Sequence, residues 1–445
     1  MNIFKLVSVL SENKKIKENE LRPETLAVHG GYLQADPTTL SRAVPIYQTS
    51  SYVFKDDTHA ANLFALKEFG NIYTRIMNPT TDILEKRLAL LEGGIGSLCV
   101  SSGQSAEFLA LSTLLKSGDE LLSSSEIYGG TYTLFEYTLG RFGIKTHFVN
   151  ANDPSLVKKS ITPKTKAIFV EALTNPSLTV PDFEALASIA HEHGIPLIVD
   201  NTVPSPYLCN PIKWGADIVI HSTTKYIGGH GIVIGGAIID SGKFDWNSSP
   251  HYRSFYEPEP AYHGMNLGET FGPITYILKC RVQALRDLGT APSPFNSWLT
   301  LLGLETLHVR MDRICDNAEK IAKFLSEHEK VAWVNYPSLR SGSEKELFKK
   351  YMPKGYSGIL GFGVKGGYES AKKVINNVQI FSHLANIGDL KSLIIHPAST
   401  THQQLSSEEQ LNAGVKPDYI RLSIGIENVD DLISDLDSAL KSITL

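Results

Sequence analysis

Cysteine is scarce and scattered in this chain. Cys99, Cys209, Cys280 and Cys315 are the four among 445 residues, and no two stand at metal-ligand spacing. That excludes a disulfide framework and a zinc knuckle, and leaves packed thiols of a reducing compartment. A strong surplus of one charge sign is missing too. The net charge of -5 is spread out with no basic tract, so nucleic-acid binding has no electrostatic footprint. The apolar start, Met1 to Leu10, is too short to span a bilayer. It lacks a basic stretch before it and a small-residue cleavage site after it, and the next ten residues mix acid with base, unlike a transit peptide. No membrane association and a cytoplasmic location are therefore expected. No G-x-G-x-x-G follows the first strand-like run and no G-x-S-x-G occurs, which disfavours a dinucleotide fold and a hydrolase elbow. His191 and His193 lie two apart, which does not suit a helical zinc pair, so no metal is expected and a solvated helix end is the reading there. There is no internal repeat or low-complexity tract.

What is present is ordinary in bulk and specific in detail. Hydrophobic residues make up 42% and charged residues 20%, enough for a sizeable core in two or three domains. Residues 1–75 read as an N-terminal extension, to about Pro23, followed by an extended arm rich in turn formers. Asn78-Pro79-Thr80 then opens a helix, with Pro79 suited to its first turn and leucines 84, 88 and 91 at helical spacing. From Leu98 onward, seven short apolar runs alternate with helix-like stretches. They are 98–100, 120–122, 146–149, 167–170, 197–199, 218–220 and 236–239, with helical periods at 107–115 and 183–191 between them. That alternation predicts an α/β domain over 76–305, with a mostly parallel seven-stranded sheet covered by helices. A helix over 294–307 leaves it. Helical residues 317–325 and strand-like runs at 331–334, 359–364 and 420–424 predict a smaller α+β domain over 306–445.

Ligands of open α/β sheets collect at the carboxyl ends of the strands, and five polar clusters fall at such ends. Ser101-Ser102-Gly103-Gln104-Ser105 leads into a helix whose N-terminus favours a phosphate, although an ordinary tight turn accounts for it taken alone. Ile127-Tyr128-Gly129-Gly130 offers a ring to lie against a planar ligand, and Asn175-Pro176 offers an amide, or a plain turn. Asp200-Asn201-Thr202 and His221-Ser222-Thr223-Thr224-Lys225 complete the set. A carboxylate at one strand end and a lysine flanked by hydroxyls at another are what a pyridoxal phosphate site requires. The amine joins the cofactor, the hydroxyls hold its phosphate, and the carboxylate keeps its ring nitrogen protonated. Gly228-Gly229-His230-Gly231 is expected to allow close backbone approach near the cofactor.

In these residues the chain resembles the Cys/Met-metabolism family of fold-type-I pyridoxal phosphate enzymes. The matching pieces are Y-T-R-I-M-N-P-T from Tyr73, S-S-G-Q-S-A from Ser101, Y-G-G-T-Y from Tyr128 and N-P at Asn175. They continue with D-N-T at Asp200, H-S-T-T-K-Y-I-G-G-H from His221 and R-L-S-I-G-I-E from Arg421. The resemblance implies pyridoxal 5'-phosphate as cofactor, with Lys225 bound to it and moving protons between substrate carbons. It implies that Asp200 pairs with the ring nitrogen, Tyr128 stacks on the ring and takes part in catalysis, and Asn175 supports the ring hydroxyl. Gly103 and Gln104 backbone N–H groups, with Ser222 and Thr224, would hold the phosphate. Arg421 would bind the substrate carboxylate, with Asn386 and Tyr73 also toward the substrate. Tyr73, also catalytic, and Arg75 would reach the phosphate of a neighbouring subunit, making the site a property of a homodimer within a homotetramer. Asn386-Ile387-Gly388, where many lyases and cystathionine synthases carry Ser-Leu-Gly, and the insertion over 244–271 resemble the sulfhydrylase branch. That branch implies O-acetylhomoserine and sulfide as substrates. A cystathionine γ-synthase, a methionine γ-lyase and a non-catalytic cofactor-binding scaffold are the alternatives. The 203–205 and 232–234 stretches depart from the branch's usual forms, which touches acyl-group preference first.

Overall fold

Seven strands form the large sheet; six are largely buried, as apolar runs covered on both faces require, and the edge strand at 145–149 is partly exposed. They are β1 (Gly96–Val100), β2 (Glu120–Ser124), β3 (Lys145–Val149), β4 (Thr165–Glu171), β5 (Leu197–Asp200), β6 (Ile218–His221) and β7 (Gly236–Asp240). The computed structural model describes residues 17–400, 403 and 415–443. The expected extension therefore lies outside the described residues as far as Ile16, as do Thr401 and His402. The strands form one sheet in the order β1-β7-β6-β5-β4-β2-β3, parallel from β6 to β3, with β7 antiparallel to both its neighbours. Pleat alternation sends Val199 and Val219 to one face, against Leu84 and Leu88. It sends Ile198, Ile218 and Ile220 to the other, against Leu109 and Phe135.

The helix Pro79–Glu92 begins as its sequence predicts. The Asn78 side-chain oxygen accepts from Thr80 N at 2.9 Å, while its amide donates to the Tyr47 carbonyl at 2.8 Å and so ties the arm to the domain. The arm itself is less extended than expected. It holds helices Pro23–His29 and Asp57–Phe64, the second capped by Asp56. Only Leu63 of Asp57–Phe64 is buried, so that helix carries no apolar stripe for periodicity to reveal.

The insertion after β7 folds as short turns and a two-stranded ribbon, β8 (Pro258–Glu259) with β9 (Met265–Asn266). Trp246 stacks on Phe255 and Tyr276, with ring centroids 4.9 and 5.0 Å away. The Ser249 hydroxyl donates to the Gly194 carbonyl at 2.8 Å and Tyr252 donates to the Lys166 carbonyl, both beside the amino ends of β5 and β4. The insertion thus closes the end of the sheet opposite to Lys225. His191 at that end is more than a solvated residue: its Nε2 stands 2.8 Å from the buried Asp217 carboxylate, and that hydrogen bond raises its pKa.

Helices Pro294–Glu305 and Leu307–Glu327 lead to a second sheet of β10 (Val331–Asn335), β11 (Ile359–Val364), β12 (Ser382–His383), β13 (Leu393–Ile395) and β14 (Tyr419–Ser423). Its order is β10-β11-β14-β13-β12, and β14 brings Arg421 toward the large sheet. Helices Leu307–Glu327, Gly367–Asn377 and Val429–Lys441 pack on its core, whereas Gly342–Tyr351 turns Phe348 and Tyr351 to the large domain, Tyr351 against Phe183 and Trp214. Among the described residues, no helix is long and apolar enough to cross a membrane and no group of His, Cys, Asp and Glu could hold a metal.

Candidate active site

Adjacent strands β5 and β6 end in the two groups that matter most. Asp200 closes β5, where its Oδ1 accepts from Thr202 N at 2.9 Å. The Thr202 hydroxyl in turn accepts from Ser222 N at 2.7 Å, so the two strand ends are tied together. Burial pushes the Asp200 carboxyl above its ordinary range, opposed by its bonds to Thr202 and by His221. Lys225 follows β6 and its Nζ donates to Asn386 Oδ1 at 2.7 Å. Burial lowers the basicity of this amine, and the nearby Arg421 charge lowers it further. Arg421 Nη1 donates to Asn175 Oδ1 at 3.3 Å and Nη2 to the Asn386 carbonyl at 3.4 Å. Gly388, at φ +75°, lies so close that a Cβ there would meet Tyr226 N at 2.7 Å and the Lys225 carbonyl carbon at 3.0 Å. Lys225, Asn386, Arg421 and Asn175 therefore converge from four distant segments.

The Ser101–Ser105 cluster becomes the start of helix Gly103–Leu114, capped by Ser102, whose hydroxyl accepts from Ser105 N at 3.1 Å. A Cβ at Gly103 would sit 2.7 Å from Ser222 Cβ, so only glycine lets this helix start meet the Ser222 turn. The Thr224 hydroxyl bonds the Gly235 backbone, accepting from its N–H at 3.1 Å and donating to its carbonyl at 3.2 Å. Tyr128 begins the next helix, 53% exposed, its N–H donating to Glu171 Oε1 at 2.6 Å. Among the glycines after Lys225, Gly229 is approached closely by a side chain of helix Leu307–Glu327. A Cβ at Gly229 would meet Arg310 Nη1 at 2.1 Å, and Arg310 donates to the Tyr226 carbonyl at 2.7 Å, pinning the turn beyond the lysine.

Tyr73 and Arg75 stand apart. Tyr73 is 42% exposed, Arg75 lies over its ring at 5.4 Å, and Arg75 also donates to the Arg286 carbonyl. Among the described residues, no hydrogen bond or ion pair joins either of them to Lys225, Asp200 or Arg421.

Two groups escaped the sequence reading. Glu171 ends β4 directly in register with Asp200, and Glu107 lies on the helix that starts at Gly103. Burial first, then the Asp200 charge, pushes both carboxyls well above the ordinary range. The signal for Glu171 was an acid closing an apolar run, Ala167 to Val170, and that for Glu107 the one charged residue of a helix that is otherwise uncharged.

This donor set fits one group. The buried Asp200 carboxyl at one end wants a cation, the helix start at Gly103 wants an anion, and a lysine of lowered basicity lies between. A protonated pyridine ring carrying a phosphate and an aldehyde satisfies all three, and the fold and site together define a fold-type-I pyridoxal phosphate enzyme. The chain belongs to the Cys/Met metabolism PLP-dependent enzyme family, whose model matches residues 24–441. It is 56% identical over 431 residues to the O-acetyl-L-homoserine sulfhydrylase of Leptospira meyeri, spanning 95% of this chain and 97% of that one. It is 53% identical over 420 residues to the homocysteine synthase of Schizosaccharomyces pombe, spanning 94% and 98%. A crystal structure described as an O-acetylhomoserine (thiol)-lyase of Campylobacter jejuni, with a pyridoxyl-lysine phosphate, superposes with a TM-score of 0.91. That chain is 46% identical, with 95% of this chain and 100% of that one covered.

Proposed function

We propose that this chain uses pyridoxal phosphate to convert O-acetylhomoserine and sulfide into homocysteine and acetate, a step of methionine and cysteine biosynthesis. The observation that carries it is the convergence of Lys225, Asn386, Arg421 and Asn175 beside Asp200, in a chain whose relatives at over half identity are named for this reaction. When bound, the cofactor supplies a cationic ring that takes up the electrons left as a proton departs from the substrate's α-carbon. Asp200 keeps the ring nitrogen protonated. Gly103 and Gln104 N–H groups and the Ser222 hydroxyl hold the phosphate, and Thr224 turns its hydroxyl from Gly235 to join them. Tyr128 covers the ring and Asn175 supports its hydroxyl.

Arg421 binds the substrate carboxylate as a fork, which orients the α-carbon toward Lys225. The lysine amine, kept neutral more readily by burial and by the Arg421 charge, removes the α-proton and later returns it. At Cγ the bond to the acetate oxygen breaks, and a bond to sulfur forms in its place. Tyr73 and Arg75 of one subunit complete the phosphate site of its partner in a homodimer, itself half of a homotetramer. The division at 75 and 305 separates this arm, the cofactor domain and the domain that carries Arg421. Cytoplasm suits four thiols that are all free and buried.

Two measurements test this reading. Offered with sulfide, O-acetylhomoserine turns over faster than O-succinylhomoserine or O-acetylserine; a preference for either of those overturns the substrate assignment. Arg421→Ala raises KM for the amino-acid substrate about ten- to hundred-fold, the worth of a charge-assisted pair. An unchanged KM would show that another cation holds the carboxylate.

A further inference from the structure

We propose that Glu171 is a positioning residue that clamps the Tyr128 loop to the Asn175 turn and so sets the seat of the cofactor ring between them. The inference rests on the cofactor reading above and goes beyond it. Glu171 ends β4 on the same face as Asp200, with which it is in register, so its carboxyl projects from a rigid strand beside the ring-nitrogen partner. Its two oxygens serve two loops. Tyr128 N donates to Oε1 at 2.6 Å, and Asn175 N donates to Oε2 at 3.1 Å. Farther out, the Thr179 hydroxyl donates to Glu126 Oε2 at 2.6 Å, which joins the same two segments without touching Tyr128 or Asn175. Tyr128 is sensitive to its backbone, since its ring folds over Gly130, where a Cβ would lie 2.5 Å from Tyr128 Cε1. Asn175 carries the clamp onward through Oδ1 to Arg421.

The chemistry of the partners makes this residue hard to replace. Both are backbone N–H groups, which can only donate, so both carboxyl oxygens must accept. A glutamine of the same shape would turn its NH2 toward one of them and set donor against donor. Glu107, the other buried carboxyl, is the contrast. Its partners are the Thr131 hydroxyl at 2.7 Å and the Gln104 side-chain amide at 3.2 Å. Each can exchange donor for acceptor, so glutamine at 107 keeps both bonds.

The test compares wild type, Glu171→Gln, Glu171→Asp and Glu107→Gln. Each is titrated with pyridoxal phosphate after removal of bound cofactor, and the visible circular dichroism of each loaded enzyme is recorded. Glu171→Gln raises the cofactor Kd about ten- to hundred-fold and alters the dichroism per bound ring, as loss of a buried acceptor predicts. Glu107→Gln stays within about threefold of wild type, because both of its bonds survive. Glu171→Asp, with two accepting oxygens on a shorter stem, keeps more affinity than Glu171→Gln. Equal losses in Glu171→Gln and Glu107→Gln would assign the effect to charge and overturn the clamp, as would the reverse order of Gln and Asp at 171. A wild-type chain that takes up no pyridoxal phosphate removes the cofactor reading itself, and the clamp with it.

Discussion

Lys225→Ala loses turnover by about 10⁴-fold or more, because one side chain supplies both the covalent link to the cofactor and the proton carrier. The loss has two separable parts. Without the amine, the visible absorbance of the lysine-linked cofactor is expected to disappear, although the phosphate contacts proposed at Gly103, Ser222 and Thr224 would still retain the cofactor. Without the proton carrier, substrate can bind but its α-proton has no base beside it. The Lys225 to Asn386 bond of 2.7 Å shows where the amine rests when it is free. The check is an absorbance spectrum together with single-turnover kinetics. An unchanged spectrum, or turnover within tenfold of wild type, would move the cofactor to a different lysine.

Asp200→Asn lowers kcat by about 10²- to 10³-fold, the worth of one preorganised charge at a buried centre. Asparagine keeps the size and can keep the bond from Thr202 N, so the strand end survives while its charge is lost. Glu171 and Glu107 do not substitute for it, since their oxygens are already bonded to Tyr128, Asn175, Thr131 and Gln104. The variant is therefore expected to fold and to bind cofactor while working poorly. Measuring kcat with both substrates saturating isolates the effect on chemistry from that on binding. Wild-type kcat in this variant would show that the ring needs no anionic partner here.

The large sheet was legible because all but its edge strand at 145–149 are largely buried. Runs such as Ile218 to Ile220 have no polar member to blur them, and the reading found all seven. The helix at Pro79 was legible from local chemistry, since Asn78 caps it within two residues. The helix Asp57–Phe64 was not, because with one buried residue it gives no period to read. The glycines after Lys225 were legible as a place of close approach, but at Gly229 the approaching Arg310 comes from the distant helix Leu307–Glu327, which no local pattern announces. The same limit hid Glu107 and Glu171. A lone acid in a sequence reads as solvated, and only strand register and loop packing put these two beside Asp200. The insertion over 244–271 was visible as an insertion, yet nothing in its sequence says that it caps the amino ends of the strands. No hydrogen bond or ion pair among the described residues joins Tyr73 or Arg75 to the lysine, so the role proposed for them rests on the family resemblance.

This site is expected to replace the γ-substituent of its substrate rather than to eliminate it. One incubation of the holoenzyme with O-acetylhomoserine and excess sulfide, with homocysteine, acetate and ammonia all quantified, tests it most directly. One homocysteine is expected for each acetate released, with no ammonia. Ammonia and a keto acid in step with acetate, or acetate release indifferent to sulfide, would contradict it.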